Sequence, residues 1–264
     1  MGLHTAAVLT FTVSSMPTED IIFRTRAYGG SLRLRLLFAA AAASLATMLG
    51  GAGIAAAAPA GPPVQLGGGS GILLPDVDHS NPDTVVACTL TAVGFDNNGA
   101  LVGLTAGHCG QVGDRVFAEY LPGAGPIGRF VYVSPVSDIA VIALDASKVS
   151  PSRTVGGTTI NGIGTPPSFG TIVCKEGRST GTTCGITWGY DHAYGQIVEH
   201  TCSIPGDSGG PLVVGDRLVG LISNGFPPYC FEPFPPPFHA PDNSADITIG
   251  LADINARGGG FRLY

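Results

Sequence analysis

From Thr84 onward the chain alternates short apolar runs with turn residues. TVVACTLTAVGF, NNG and ALVGLTAG are followed by RVFAEYL, GRFVYVS and IAVIAL, ending near Leu144. A second set begins near Gly170 with GTIVC, CGITWGY and GQIVEHT and closes on PLVV and RLVGLIS. Gly215-Asp216 stands between that last pair, and such a dipeptide between two apolar runs predicts a tight hairpin turn. Runs of this length, bounded by Gly, Pro and Asn, predict strands and not helices. The pattern is that of an all-β barrel or sandwich in two sets, over residues 84–147 and 170–264, with the low-complexity stretch 148–169 as connector. The two sets are similar in size but share no repeat by identity.

Composition supports the strand reading. Gly and Pro supply 61 of 264 residues and charged residues only 12%, which leaves too little Glu, Lys and Arg for many surface helices. The first 60 residues are of another kind: Arg24, Arg26, Arg33 and Arg35 precede an apolar, Ala-rich run from Leu36 to Ala60. A basic segment before an apolar one predicts a secretory signal, with cleavage after Ala60 in Ala58-Pro59-Ala60 and Met16 as a candidate true start. The run is also long enough for an uncleaved membrane anchor, though its Ala and Gly are weakly apolar. Residues 61–83 then read as a flexible lead-in, with Asp76, Asp78 and Asp83 in a turn-rich loop that lacks a full calcium-ligand pattern.

Charge narrows the function classes. Residues 61–264 hold 9 Lys and Arg against 17 Asp and Glu, a net charge of −8, and no basic stripe exists to hold nucleic acid. Six cysteines, Cys88, Cys109, Cys174, Cys184, Cys202 and Cys230, all follow the signal. An even number in a secreted chain predicts three disulfides, for which sequence alone allows fifteen connectivities. No CxxC or paired Cys/His spacing points to a metal, and no cofactor is expected. Seven prolines between Gly225 and Asn243 surround Cys230 and predict a disulfide-tethered surface loop.

The candidate chemistry centres on SIPGDSGGP, residues 203–211, where Ser208 stands in a GxSxG pattern. A serine hydroxyl needs a base to take its proton and a third group to orient that base. The nucleophile elbow of an α/β-hydrolase needs its histidine after the serine, together with alternating helices. Here the only later histidine is His239, inside the Pro-rich loop, so that architecture is excluded. Upstream, TAGHCG places His108 at the end of an apolar run, and SDIAVIAL places Asp138 at the mouth of another. The order His108, Asp138, Ser208 is one of the known arrangements of a single triad geometry. His79, His192 and His200 belong to no motif.

TAGHC, DIAVI and GDSGGP in this order resemble the signature motifs of the chymotrypsin-like serine peptidases, and CSIPGDSGGP with CKEGRSTGTTC is similar to the secreted bacterial branch of streptogrisin and alpha-lytic endopeptidase. The resemblance covers roughly residues 71–264. It implies two packed six-stranded antiparallel β-barrels, with His108 and Asp138 from the first, Ser208 from the second, and the active site between them. It further implies the pairs Cys88–Cys109, Cys174–Cys184 and Cys202–Cys230, and an oxyanion hole from the N–H groups of Gly206 and Ser208. Asp207 would need a cation, and the family's basic position falls on Lys175 in place of the more usual Arg. Ser203, Ile204 and Pro205 would form one pocket wall and Ile222, Ser223, Asn224 and Gly225 the other. With Cys202 and not a carboxylate six residues before the serine, the resemblance implies cleavage after apolar side chains. The resulting expectation is a secreted, monomeric serine endopeptidase acting on polypeptides. A catalytically inactive binding protein of this fold and an esterase-type acyl hydrolase are the alternatives.

Overall fold

The computed structural model describes residues 62–75, 84–225, 227, 230 and 239–264. The expected signal, His79, the Asp76–Asp83 loop and most of the Pro-rich loop lie outside the described residues. Among those described, no helix is long and apolar enough to cross a membrane.

The first set of strands is β1 (Gly71–Pro75), β2 (Val85–Thr89), β3 (Ala92–Phe95), β4 (Leu101–Thr105), β5 (Arg115–Ala118), β6 (Pro126–Val133) and β7 (Ala140–Leu144). They hydrogen-bond in the order β3-β4-β7-β6-β5-β1-β2. The two outer members, β2 and β3, are separated only by Leu90 and Thr91, so they are halves of one bent strand. Its first half pairs with β1 (Leu73 opposite Ala87) and its second with β4 (Val93 opposite Gly103). That bend closes the sheet into a six-member ring. Ile72, Leu74, Leu90, Leu104, Val116, Ile127, Phe130 and Ile142 are wholly buried inside it. A core of that kind is what stabilises a sheet whose other face is solvated.

The second set is β8 (Ile172–Gly177), β9 (Gly181–Asp191), β10 (Gln196–Glu199), β11 (Pro211–Val214), β12 (Arg217–Gly225) and β13 (Asp242–Asp246). The order β12-β11-β8-β9-β10-β13 is closed by pairing of β12 with β13, which gives a six-stranded antiparallel barrel. Gly215 and Asp216 make the turn between β11 and β12, and Gly215 takes a positive φ of 61° that favours glycine. The protein is therefore a double β-barrel. Helix α1 (Ile247–Ala256) follows, its N-cap Asp246 accepting the Thr248 N–H at 2.8 Å, and Arg262–Leu263 then pair antiparallel with β3 of the first barrel.

The stretch expected to be a flexible lead-in is in part structured. Residues 71–75 supply β1, and Val64–Leu66 pair in parallel with Val149–Pro151. Sequence missed this because Gly67 to Gly71 read as linker, whereas Gly69 sits at a φ of 104° in a turn that lets the chain enter the barrel. The connector likewise holds short paired segments, Thr154–Val155 against Thr158–Thr159.

Candidate active site

β4 and β7 are antiparallel neighbours with Thr105 opposite Ala140. β4 ends where β7 begins, so the residues just beyond Thr105 and just before Ala140 emerge at one edge of the first barrel. His108 lies in the short 3₁₀ turn Gly107–Cys109 and Asp138 in the loop before β7. The carboxylate binds the histidine twice: Oδ1 accepts the His108 backbone N–H at 2.9 Å, and Oδ2 lies 2.8 Å from His108 Nδ1. Two bonds from one carboxylate fix both the turn and the ring. They also leave the far nitrogen, Nε2, pointing away from Asp138.

Electrostatics follow from that contact. The Asp138 hydrogen bond raises the His108 pKa above its ordinary 6.5 against the opposing effect of burial. Burial pushes the Asp138 carboxyl up, but the bonds from His108 and Ser223 outweigh it and hold the group below the usual carboxylate value. Ser223 was expected only as a pocket wall. Its hydroxyl donates to Asp138 Oδ2 at 2.6 Å, so β12 of the second barrel reaches the carboxylate of the first.

Ser208 sits in the loop before β11 and lines one cleft, of about 220 Å³, with His108. The same cleft is lined by Ser203, Ile204 and Pro205 on one side and Ile222, Ser223, Asn224 and Gly225 on the other. Gly206 has a φ of 101°, and a Cβ there would come within 2.4 Å of Ser179 Oγ, so only glycine fits this turn. Within the loop, the N–H groups of Asp207, Gly209 and Gly210 are bound by the carbonyls of Ile204, Ile222 and Asp207. The N–H groups of Gly206 and Ser208 have no acceptor among the described residues. Two free donors flanking one bound donor are available to a ligand oxygen.

Several residues that sequence did not single out hold this arrangement. Thr89 N–H donates to the Ser208 carbonyl at 2.8 Å, Thr89 Oγ1 to Gly206 O at 2.8 Å, and Thr91 Oγ1 to Gly209 O at 2.6 Å. Cys88, adjacent in β2, is bonded to Cys109 beside the histidine. One bent strand thus anchors both His108 and the Ser208 loop. On the other side of His108, the loop carrying Asp138 is tied to α1, since Ser134 Oγ donates to Asp253 Oδ2 at 2.7 Å. No motif announces such partners, because their value lies in a register that only the folded sheets define.

Beneath the loop, Lys175 and Asp207 are both fully buried, with Nζ 3.6 Å from Oδ2. Contact is partly relayed: Thr180 Oγ1 donates to Asp207 Oδ2 at 2.7 Å and receives Lys175 Nζ, while Oδ1 accepts Ser179 N–H at 2.8 Å. Burial lowers the Lys175 pKa below the ordinary lysine value despite the attraction of Asp207. The point charge of lysine gives one long contact here where a guanidinium fork could give two. The remaining cysteines pair as Cys174–Cys184 and Cys202–Cys230. Of the histidines outside the motifs, His192 is exposed, and His200 receives Trp188 Nε1–H at 3.2 Å and contacts the His239 carbonyl.

No family model matches the chain. Streptogrisin-C of Streptomyces griseus is 31% identical over 134 residues, covering 46% of this chain and 28% of that protein. Trypsin alpha-3 of Lucilia cuprina is 34% identical over 114 residues, or 34% of this chain and 69% of that protein. The chain belongs to the chymotrypsin-like serine peptidases. Its fold is that of the Nocardiopsis protease, whose crystal structure it matches with a TM-score of 0.56 at 23% identity, over 75% of this chain and 100% of that one. This chymotrypsin-like chain spans less than half the length of the bacterial curated relatives it matches first, 28% of streptogrisin-C and 44% of streptogrisin-A.

Proposed function

We propose that the protein is a secreted serine endopeptidase that hydrolyses polypeptides through an acyl-enzyme. The observation that carries this is the placement of His108, held by Asp138 at Nδ1 and with no partner for Nε2 among the described residues, in one cleft with Ser208. In this mechanism Ser208 Oγ attacks the substrate carbonyl while His108 Nε2 takes its proton. Asp138 keeps the required tautomer and stabilises the imidazolium that forms. The developing oxyanion is received by the free N–H groups of Gly206 and Ser208, and losing one such donor costs about 3 kcal/mol of transition-state stabilisation. His108 then gives the proton to the leaving amine, and a water activated by the same histidine hydrolyses the Ser208 ester.

An extended peptide pairs with Ile222–Gly225 at the end of β12 as an added strand, and Ser203, Ile204 and Pro205 close the opposite side of its side-chain pocket. Lys175 and Asp207 hold the loop shape that aims Gly206 and Ser208. Three disulfides suit an oxidising, extracellular setting. The test is incubation of the secreted protein with an unfolded polypeptide, read by mass spectrometry. New termini that vanish in Ser208→Ala support the reading. Turnover of esters without any peptide cleavage replaces it with an acyl hydrolase.

A further inference from the structure

The register of β12 and β13 sets Gly225 opposite Asp242. Gly225 lines the cleft, and a Cβ on it would come within 2.6 Å of Asp242 Oδ1. From the other wall, Ser203 donates its hydroxyl to the same Oδ1 at 2.7 Å. The Asp242 carboxyl therefore lies directly behind both walls of the cleft, without itself lining it. It is only 2% exposed, and its second oxygen, Oδ2, has no hydrogen-bond partner among the described residues.

A buried carboxylate oxygen without a partner is costly unless a cation or donor meets it. Among the described residues, the nearby interior supplies none to spare. Lys175 Nζ is engaged by Asp207, Thr180 and the Gly181 carbonyl. Glu199, paired across the sheet from Asp242, is a second buried acid, bound by Thr201 N–H at 2.6 Å and Ser244 Oγ at 3.1 Å. Asp207, Glu199 and Asp242 thus share one buried lysine. Once Asp242 is ionised, an apolar side chain in the pocket would leave that excess unanswered, and an acidic one would add to it.

We propose that Asp242 makes this pocket select a lysine or arginine side chain immediately before the cleaved bond, the cation occupying Asp242 Oδ2. The proposal rests on the endopeptidase reading and replaces the apolar preference expected from sequence. That expectation considered the position six before Ser208, whereas the carboxylate here comes from β13. Among the described residues, the groups facing Asp242 are Glu199 on β10, Lys175 on β8, and the hydroxyl and backbone N–H of Ser203. Burial, then repulsion by Glu199, raises the Asp242 pKa to about 8, so the empty pocket holds a proton at neutral pH that an entering cation displaces. Selection for basic side chains therefore strengthens as pH rises through about 8.

The test uses the secreted protein with fluorogenic peptides that differ only in Arg, Lys, Leu or Phe before the cleaved bond, alongside fluorophosphonate labelling of Ser208. The expected result is that kcat/KM for Arg and Lys exceeds that for Leu and Phe, with a ratio that climbs with pH through about 8. Because all four peptides use the same triad, the titration of His108 cancels from that ratio. Asp242→Asn is expected to lower the ratio about a hundredfold. Should that variant fail to fold, the pH dependence of the wild-type ratio still decides. Labelled protein that prefers Leu or Phe, or a ratio flat with pH, overturns the proposal and leaves the endopeptidase reading intact. Protein that neither labels nor cleaves any peptide overturns both.

Discussion

Ser223 donates its hydroxyl at 2.6 Å to Oδ2 of Asp138, the same oxygen that meets His108 Nδ1. A bond to a charged acceptor contributes about 1.5–3 kcal/mol, and this one joins the two barrels at the carboxylate that holds His108. Ser223→Ala is expected to lower kcat about tenfold, a change of roughly 1.4 kcal/mol in barrier. With that donor gone, Asp138 presents more negative charge to His108, so the acid limb of the kcat/KM profile should move to higher pH. A lower kcat with an unmoved limb would mean that Ser223 only lines the cleft.

The pH profile itself has a definite sign. In the proposed mechanism His108 must be neutral to accept the Ser208 proton, and its hydrogen bond to Asp138 raises its pKa above 6.5. Activity should therefore rise with pH through a midpoint above that value. Asp138→Asn removes the cause, so the midpoint should fall while kcat drops about 10⁴-fold. A wild-type midpoint at or below 6.5 would contradict the placement of Asp138.

Lys175 and Asp207 have no solvent to replace a lost partner. Lys175→Met strands the Asp207 carboxylate and should cost about 3–5 kcal/mol in urea unfolding. The backbone donors of Ser179 and Ile204, at 2.8 and 3.1 Å, keep part of the charge satisfied and favour the lower end. An unfolding midpoint equal to the wild type, or full activity in Lys175→Ala, would show that the pair is not needed.

Asp242 makes stability depend on pH in the opposite sense to a paired carboxylate. Its folded pKa is about 8 against an ordinary 3.8, so the folded state binds the proton more tightly. The associated stability is fully present below 3.8 and is lost as pH rises towards about 8. Burial raises Glu199 too, which adds a slope of the same sign. Urea midpoints measured across this window should fall with pH more steeply in the wild type than in Asp242→Asn. Parallel curves would place Asp242 in contact with solvent or a cation in the free protein.

How much of this was legible in the chain depends on whether a residue's role is local. His108, Asp138 and Ser208 each sit in a short motif whose neighbours fix the backbone, and apolar runs separated by turns announced the two sets of strands. β1 was missed because its entry turn is glycine-rich and imitates a linker. Thr89, Asp253 and Asp242 were missed for a different reason. Each acts across a sheet register or a barrel interface, Asp242 through its place opposite Gly225, and a separation that runs through a Pro-rich loop carries no signal of that register. Ser223 was expected only as a pocket wall; it lines the cleft, and its hydroxyl turns to Asp138.

The central claim is that Ser208 is a nucleophile activated by His108. Labelling of the folded, disulfide-bonded protein with a fluorophosphonate probe tests it most directly, with Ser208→Ala and His108→Ala alongside. The account predicts covalent labelling of the wild type at Ser208, none in Ser208→Ala, and a labelling rate in His108→Ala lower by about 10³-fold or more. Folded wild-type protein that takes no label, or labels equally well without His108, would contradict it.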